Sequence, residues 1–293
     1  MYQYQYGSQA EIVVLAREKG LKISEIALLH EAEREETEPA AIRGKMKLSL
    51  DVMQTNIKSG IASEEPSIGG LIGQNAVKMT RFSQSGRAMG GPVMSRAVAY
   101  SLAITEENAR MKRIVACPTA GASGVVPGCL IAAGEAFGYT VEQLLDGLFN
   151  ASAIGIIIAN NSSISGAEGG CQAEVGTASA MAASALTELA GGDVNACFHA
   201  ASIALKNLLG LVCDPVAGLV EVPCSKRNAV GVAGAVAAAD MALAGIKSVI
   251  PFDEVVRAMK EVGCALPSSL KETARGGIAA TRTAREIKKK LSK

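Results

Sequence analysis

Cys171, Cys213 and Cys224 are the side chains best placed to do chemistry in this 293-residue chain. Each stands close to glycine or proline, in Gly169-Gly170-Cys171, Cys213-Asp214-Pro215 and Val222-Pro223-Cys224. A cysteine that only packs sits inside an apolar periodic run, whereas a thiol at a turn has the freedom to point inward and ligate. The expectation is a three-thiolate metal site. Separations of 42 and 11 residues match no zinc ribbon, zinc finger or ferredoxin run. Spacing names no metal and leaves plain packing as the alternative.

The remaining cysteines read differently. Cys129 and Cys197 lie in apolar helical runs and read as core, Cys264 follows a helix-ending glycine and reads as structural, and Cys117 is open to either reading. Of the two histidines, His30 is expected to be exposed and His199 to be a satisfied helix residue. There is no H-E-x-x-H motif and no G-x-S-x-G elbow.

Two stretches are rich enough in Gly and Ser to present backbone N–H groups to an anion. One runs from Ser67 through Gly69-Gly70 to Asn75; the other is Cys117-Pro118-Thr119-Ala120-Gly121-Ala122-Ser123-Gly124, which leads into a helix. The second aims loop amides and the Thr119 and Ser123 hydroxyls at a helix N-terminus, where a carboxylate or phosphate is well received. It is no Walker loop, since no Gly-Lys-Ser/Thr follows. An ordinary linker remains the competing reading of the first stretch.

The elements that must position these residues read as helices throughout. Hydrophobic residues make up 49% of the chain but aromatics only 3%, with no Trp, so Ala, Val, Leu, Ile, Met and Gly must build the core. Such composition suits tightly stacked helices better than a β-sandwich. Helical patterns cover Gln9 to Glu36 with a break at Gly20, then Ile42 to Lys58, Val93 to Lys112, Val125 to Phe137, Val141 to Ala159 and Val175 to Ala190. They continue over the Asp193-capped segment to Gly210, Asn228 to Ile246, Glu254 to Val262 and the basic Thr283 to Leu291, while between Gly60 and Gly91 the texture changes, with Ser67 to Asn75 and Ser83 to Gly91 reading as Ser/Gly-rich loops. The fold class is all-α: a multi-helix globular domain of small-residue-packed helices with Gly/Ser-rich loops. Residues 1–293 read as a single catalytic domain, with 1–60 as a peripheral helical segment.

Net charge is +1 and there is no basic patch interleaved with aromatics, which argues against nucleic acid as a partner. Seven cysteines, an odd number, behind a polar start without signal-peptide character point to free or metal-bound thiols in a reducing cytoplasm. No stretch reaches about 18 uninterrupted apolar residues, so no membrane span is expected.

The segments Gly169-Gly170-Cys171-Gln172-Ala173-Glu174-Val175-Gly176, Cys213-Asp214-Pro215-Val216-Ala217-Gly218, Val222-Pro223-Cys224 and Arg227-Asn228 closely resemble the iron–sulfur-dependent L-serine dehydratases. So does the Cys117–Gly124 stretch. The resemblance runs from about Ser67 to Gly277, and the chain's length is similar to the separate α subunit of the two-subunit form. It implies a [4Fe–4S] cluster held by Cys171, Cys213 and Cys224, with one iron free of protein thiolate to act as Lewis acid on the serine hydroxyl. A base removes the Cα proton, and the resulting aminoacrylate gives pyruvate and ammonia, which places the reaction in serine catabolism.

The resemblance further implies that Thr119, Gly121, Ser123 and Gly124 receive the substrate carboxylate, with Ser67 as a second candidate. Arg227, Asn228 and Lys271 are then polar groups lining the pocket. The base is not identified by any residue here, and a partner β subunit is its expected source. The chain lacks the C-terminal cysteine of some single-chain relatives, ending Leu291-Ser292-Lys293, and carries Ala120 where relatives often have a polar residue. Rival readings are an iron–sulfur lyase of the cysteine desulfidase kind and a non-catalytic helical subunit. A pyridoxal-phosphate dehydratase is disfavoured by the absence of an α/β pattern and of a suitable lysine context.

Overall fold

Small residues decide how closely the helices of this protein approach one another. In the computed structural model, which describes residues 3–292, the helices α1 (Gln9–Lys19), α2 (Ile23–Arg34), α3 (Pro39–Gly60) and α4 (Asn75–Gln84) come first. α5 (Gly91–Ala109), α6 (Val125–Phe137), α7 (Val141–Asn161) and the short α8 (Gly166–Gly169) follow. The chain continues through α9 (Thr177–Leu189), α10 (Val194–Lys206), α11 (Cys224–Leu243), α12 (Phe252–Ala265) and α13 (Arg282–Leu291). No strand forms among the described residues; two isolated bridges, Pro66 with Gly73 and Cys213 with Lys271, are the only β pairing. The fold is all-α. The first two and the last residue of the chain, on which the readings of its polar start and of its end partly rest, lie outside the described residues.

The helix ends follow from local sequence. Thr140 and Gln143 form the capping box that starts α7, and Asp193 Oδ1 accepts the Ala196 N–H at 2.7 Å to start α10. Gly20, at φ 69°, ends α1 in the left-handed conformation that glycine tolerates.

At the centre lies α9, whose residues Thr177 to Ala185 are all buried and which packs against α6, α7, α10 and α11. Its Ala-rich surface admits close neighbours on several sides at once. The crossing of α6 over α5 depends on the same principle. A Cβ on Gly124 would stand 2.5 Å from the Ser101 carbonyl oxygen, and one on Gly128 2.9 Å from that of Ala97. One hydrophobic cluster takes in Ile12, Ile23, Ile42 and Leu50 from the first helices together with Ile154, Phe198, Val232 and Phe252.

Some sequence expectations are corrected. Residues 75–84, which bridge the two expected Gly/Ser-rich loops and take in the end of one and the start of the other, form α4. Its N-terminus is capped from outside by the buried Glu106 carboxylate, 2.8 Å from the Asn75 amide, a partner 31 residues away that no local pattern shows. α5 ends at Ala109, and its last turn buries Glu106 and Glu107 with Arg110, whose Nη1 reaches Glu107 at 2.8 Å. Cys264 is exposed rather than packed. His30 is half-buried, with Nδ1 3.1 Å from the Tyr4 carbonyl and its ring against Tyr6.

By length and hydropathy alone, residues 120–137 and 141–161 are apolar enough to cross a membrane. In the fold, 72% and 67% of these windows are buried, so their apolar faces belong to the protein core.

Candidate active site

The three expected thiols come from separate parts of the chain. Cys171 follows Gly170, whose φ of 79° and tight approach to the Leu211 carbonyl (2.8 Å from a built Cβ) leave no room for a side chain. It stands immediately before a π-helical turn, Gln172–Gly176, an irregularity that recurs at functional sites. Gln172 fixes this turn. Its Nε2 donates to the Gly169 and Met259 carbonyls at 3.0 and 2.9 Å, and its Oε1 accepts from Gly210 N at 2.9 Å. A fully buried amide with its donors and acceptor used in this way specifies one arrangement.

Cys213 is held by backbone pairing with the segment before α13. Its N–H donates to the Leu270 carbonyl at 2.8 Å and its carbonyl accepts from Glu272 N at 2.7 Å, flanking Lys271. Lys271 is thus brought beside Cys213 through its backbone. The adjacent Asp214 accepts from Ile278 N at 2.6 Å and pairs with Arg227 Nη2 at 2.8 Å. Arg227 Nη1 also donates to the Val212 carbonyl at 2.7 Å, so Arg227 is bound to both sides of Cys213. Cys224 is the first residue of α11, where the positive end of the helix dipole favours a thiolate.

The turn 119–124 faces this group. Thr119 Oγ1 donates to Glu174 Oε1 at 2.7 Å, and Glu174 Oε2 lies 4.0 Å from Cys213 Sγ. Asn228 Nδ2 donates to the Gly121 carbonyl at 2.7 Å and to the Cys224 carbonyl at 2.9 Å, while its Oδ1 accepts from Gly124 N at 3.1 Å. Ser123 is fully buried and its hydroxyl donates to the Ala120 carbonyl of its own turn at 2.8 Å. Of the residues expected to meet substrate, Thr119, Gly121, Gly124, Arg227 and Asn228 are therefore brought together around the cysteines.

Ser67 has another environment. Its hydroxyl donates to Glu221 Oε2 at 2.6 Å, and the same carboxylate accepts from Gly69 N at 2.8 Å and Leu71 N at 3.0 Å. The donors that made this stretch resemble an anion receiver are engaged by a carboxylate of the protein itself. Sequence reading missed Glu221 and gave Glu174 no role. The available signals were modest: Glu174 lies within the Cys171 motif and Glu221 three residues before Cys224.

The electrostatics tie the thiols to one another. Burial pushes the Cys171 thiol up to about 11, opposed by the Arg227 guanidinium and reinforced by Glu174. Cys224 is pushed up to about 12 by burial, with charge on Cys171 and Glu174 adding to it. Cys213 is raised further still by burial and then by Cys171, Glu174, Glu272 and Cys224. Burial raises all three thiols and charge on Cys171 raises the other two, a setting that fits a cationic centre offsetting them. The Glu174 carboxyl is itself raised by burial, against the pull of its Thr119 hydrogen bond.

Known proteins resemble this chain over most of its length. The serine dehydratase alpha chain family matches residues 18–279. The chain is 50% identical over 281 residues to the probable L-serine dehydratase alpha chain of Bacillus subtilis, covering 96% of this chain and 93% of the relative. It is 42% identical to the L-serine dehydratase alpha chain of Peptoniphilus asaccharolyticus, with 97% of each chain covered. It also matches the L-serine dehydratase TdcG of Escherichia coli at 36% identity, spanning 94% of this chain but 62% of that longer protein. A match over most of the chain, from both the family and its individual members, places this protein in the serine dehydratase alpha chain family.

Proposed function

We propose that this chain is the α subunit of an L-serine dehydratase, a lyase that dehydrates and deaminates L-serine to pyruvate and ammonia. The observation that carries the reading is the placement of Cys171 close to Cys213 and Cys224, 42 and 53 residues further along the chain, beside the Thr119–Gly124 turn.

Three neighbouring thiols, Cys171, Cys213 and Cys224, with charge on Cys171 raising both of the others, are a donor set that an iron–sulfur cluster accepts. A multi-iron cluster accepts thiolates at separate corners, and three thiols suit a [4Fe–4S] cluster with one iron free of protein thiolate. When bound, such a cluster supplies a Lewis acid suited to a departing hydroxyl. Because the thiols are raised in the metal-free chain, loading releases protons and is favoured by higher pH.

The chain's own residues supply the setting. Arg227, paired to Asp214, puts positive charge next to Cys171 and holds the backbone at Val212. The Thr119–Gly124 turn, at the N-terminus of α6, orients the substrate carboxylate, and Asn228 keeps that turn in register with Cys224. Glu174 positions Thr119. Its oxygens pack against Gly166 and Gly121, where a Cβ would stand 2.6 Å from Oε2 and 3.1 Å from Oε1. In this reading the base is supplied by a second, β chain. The alpha-chain description of the family and of its Bacillus subtilis and Peptoniphilus asaccharolyticus members supports such a second chain. A reducing cytoplasm suits free thiols and an oxygen-sensitive centre.

The test is anaerobic reconstitution with iron and sulfide, alone and with the second chain, followed by iron analysis, visible absorption and pyruvate formation from L-serine. Brown protein active only with the second chain is the expected result. Cys171→Ala, Cys213→Ala and Cys224→Ala should each lose the colour and the activity. A wild-type chain that stays colourless overturns the cluster, and preferential turnover of cysteine or threonine reassigns the substrate.

A further inference from the structure

Glu221 is a buried carboxylate, 3% exposed, that the chemistry at the cysteines does not use. It reaches 154 residues back along the chain to accept three hydrogen bonds from one loop: Ser67 Oγ, Gly69 N and Leu71 N. A Cβ on Gly69 would stand 2.5 Å from Glu221 Oε1 and 2.4 Å from Leu219 Cδ1, so a side chain there displaces one or both. The loop is itself anchored. Ser67 N donates to the Ile72 carbonyl at 2.9 Å, Ile68 N to the Ala109 carbonyl at 3.0 Å, and Arg110 Nε to the Glu65 carbonyl at 3.0 Å. The loop is thus fastened to the end of α5.

At the other end, Glu221 belongs to the turn that delivers Cys224. Val216 N donates to the Val222 carbonyl at 2.8 Å, and both the Ser225 amide and hydroxyl donate to the Glu221 carbonyl, at 3.2 and 3.0 Å. The side chain of Glu221 therefore joins a fixed loop to the backbone three residues before a cysteine of the centre. A buried carboxylate with three short donors resists displacement, because any other position leaves charge and amides unpaired.

We infer that Glu221 is a positioning residue that latches the Ser67–Gly73 loop onto the Cys224 turn and so sets where the Cys224 thiol points. This rests on the reading of Cys224 as a cluster ligand. The Ser67 hydroxyl and the Gly69 and Leu71 amides are then committed to Glu221 and are not free for substrate.

Three full-length variants test the latch: Glu221→Ala and Glu221→Gln act on the carboxylate, and Gly69→Ala disturbs it without changing charge. In the iron-free chain, the alkylation rate of Cys224 by iodoacetamide is read by peptide mass spectrometry against exposed Cys264 as internal reference. Hydrogen exchange at Gly69 and Leu71 is measured alongside, and helix content by circular dichroism. In reconstituted protein, the rate of iron loss to a chelator is followed.

Glu221→Ala and Gly69→Ala should raise the Cys224-to-Cys264 ratio about 10-fold, with faster exchange at both amides, intact helix content and about 10-fold faster iron loss. Glu221→Gln, which keeps an acceptor, should fall between them and wild type. Faster amide exchange with an unchanged alkylation ratio would overturn the latch. If the wild-type chain takes up no iron, the cluster reading fails while the alkylation ratio still decides the latch.

Discussion

The loop at residues 67–73 and the turn at 119–124 look alike in sequence, both being short, glycine-rich and supplied with hydroxyls, yet the structure uses them differently. In the first, the hydroxyl and two amides converge on Glu221, so the donors are satisfied by the protein. In the second, the groups are tied to residues that themselves surround the cysteines: Thr119 to Glu174, and Gly121 and Gly124 to Asn228. A glycine-rich loop offers N–H groups, but what those groups already hold decides whether it receives a ligand or fixes a fold.

The comparison can be broken most sharply at the two carboxylate–hydroxyl pairs, beginning with Glu174 and Thr119. Replacing Glu174 by Ala leaves Thr119 without its acceptor and opens space beside Cys213. Activity with the second chain should fall about 100-fold in kcat/KM, the scale expected when a substrate-orienting group shifts by about 1 Å. Glu174→Gln retains an oxygen for Thr119 and should lose less than about 10-fold. Equal loss in both variants would make the ionised carboxylate itself the base and end the assignment of that role to a second chain.

On the other loop the effect should appear in stability. Ser67→Ala removes a 2.6 Å hydrogen bond to a buried carboxylate and leaves the Glu221 oxygen with fewer donors. A hydrogen bond to a charged group contributes about 1.5–3 kcal/mol, to be read as a lower denaturant midpoint at unchanged slope. KM for serine should stay at the wild-type value once the protein is folded and loaded. A rise in KM without loss of stability would return Ser67 to the substrate site.

These differences also explain what was legible in the sequence. The all-α fold followed from apolar spacing, caps such as Thr140 and Asp193, and the scarcity of aromatics, because those are local signals. The three cysteines stood out by their turn-forming neighbours, and the family motifs around them added the chemistry. What escaped was long-range pairing. Glu106 caps a helix 31 residues earlier, α4, which bridges the two expected loops. Glu221 engages a loop more than 150 residues away, and nothing near Ser67 shows that its hydroxyl is spoken for. Burial of a charged side chain depends on which segments meet, and a single sequence gives no measure of that.

The smallest effect should come from Ser123, the counterpart of Ser67 in the second turn. Its hydroxyl donates to the neutral Ala120 carbonyl at 2.8 Å, inside the turn. A neutral hydrogen bond contributes about 0.5–1.5 kcal/mol, so Ser123→Ala should lower stability by less than Ser67→Ala does. It should also leave the turn's backbone in place, because Asn228 holds Gly121 and Gly124 on either side. KM for serine should then change less than about 3-fold, since this bond is made within the protein and not to substrate. A selective rise in KM, with the denaturant midpoint unchanged, would mean that the hydroxyl turns toward the ligand and that this turn reads its substrate by side chain as well as by backbone.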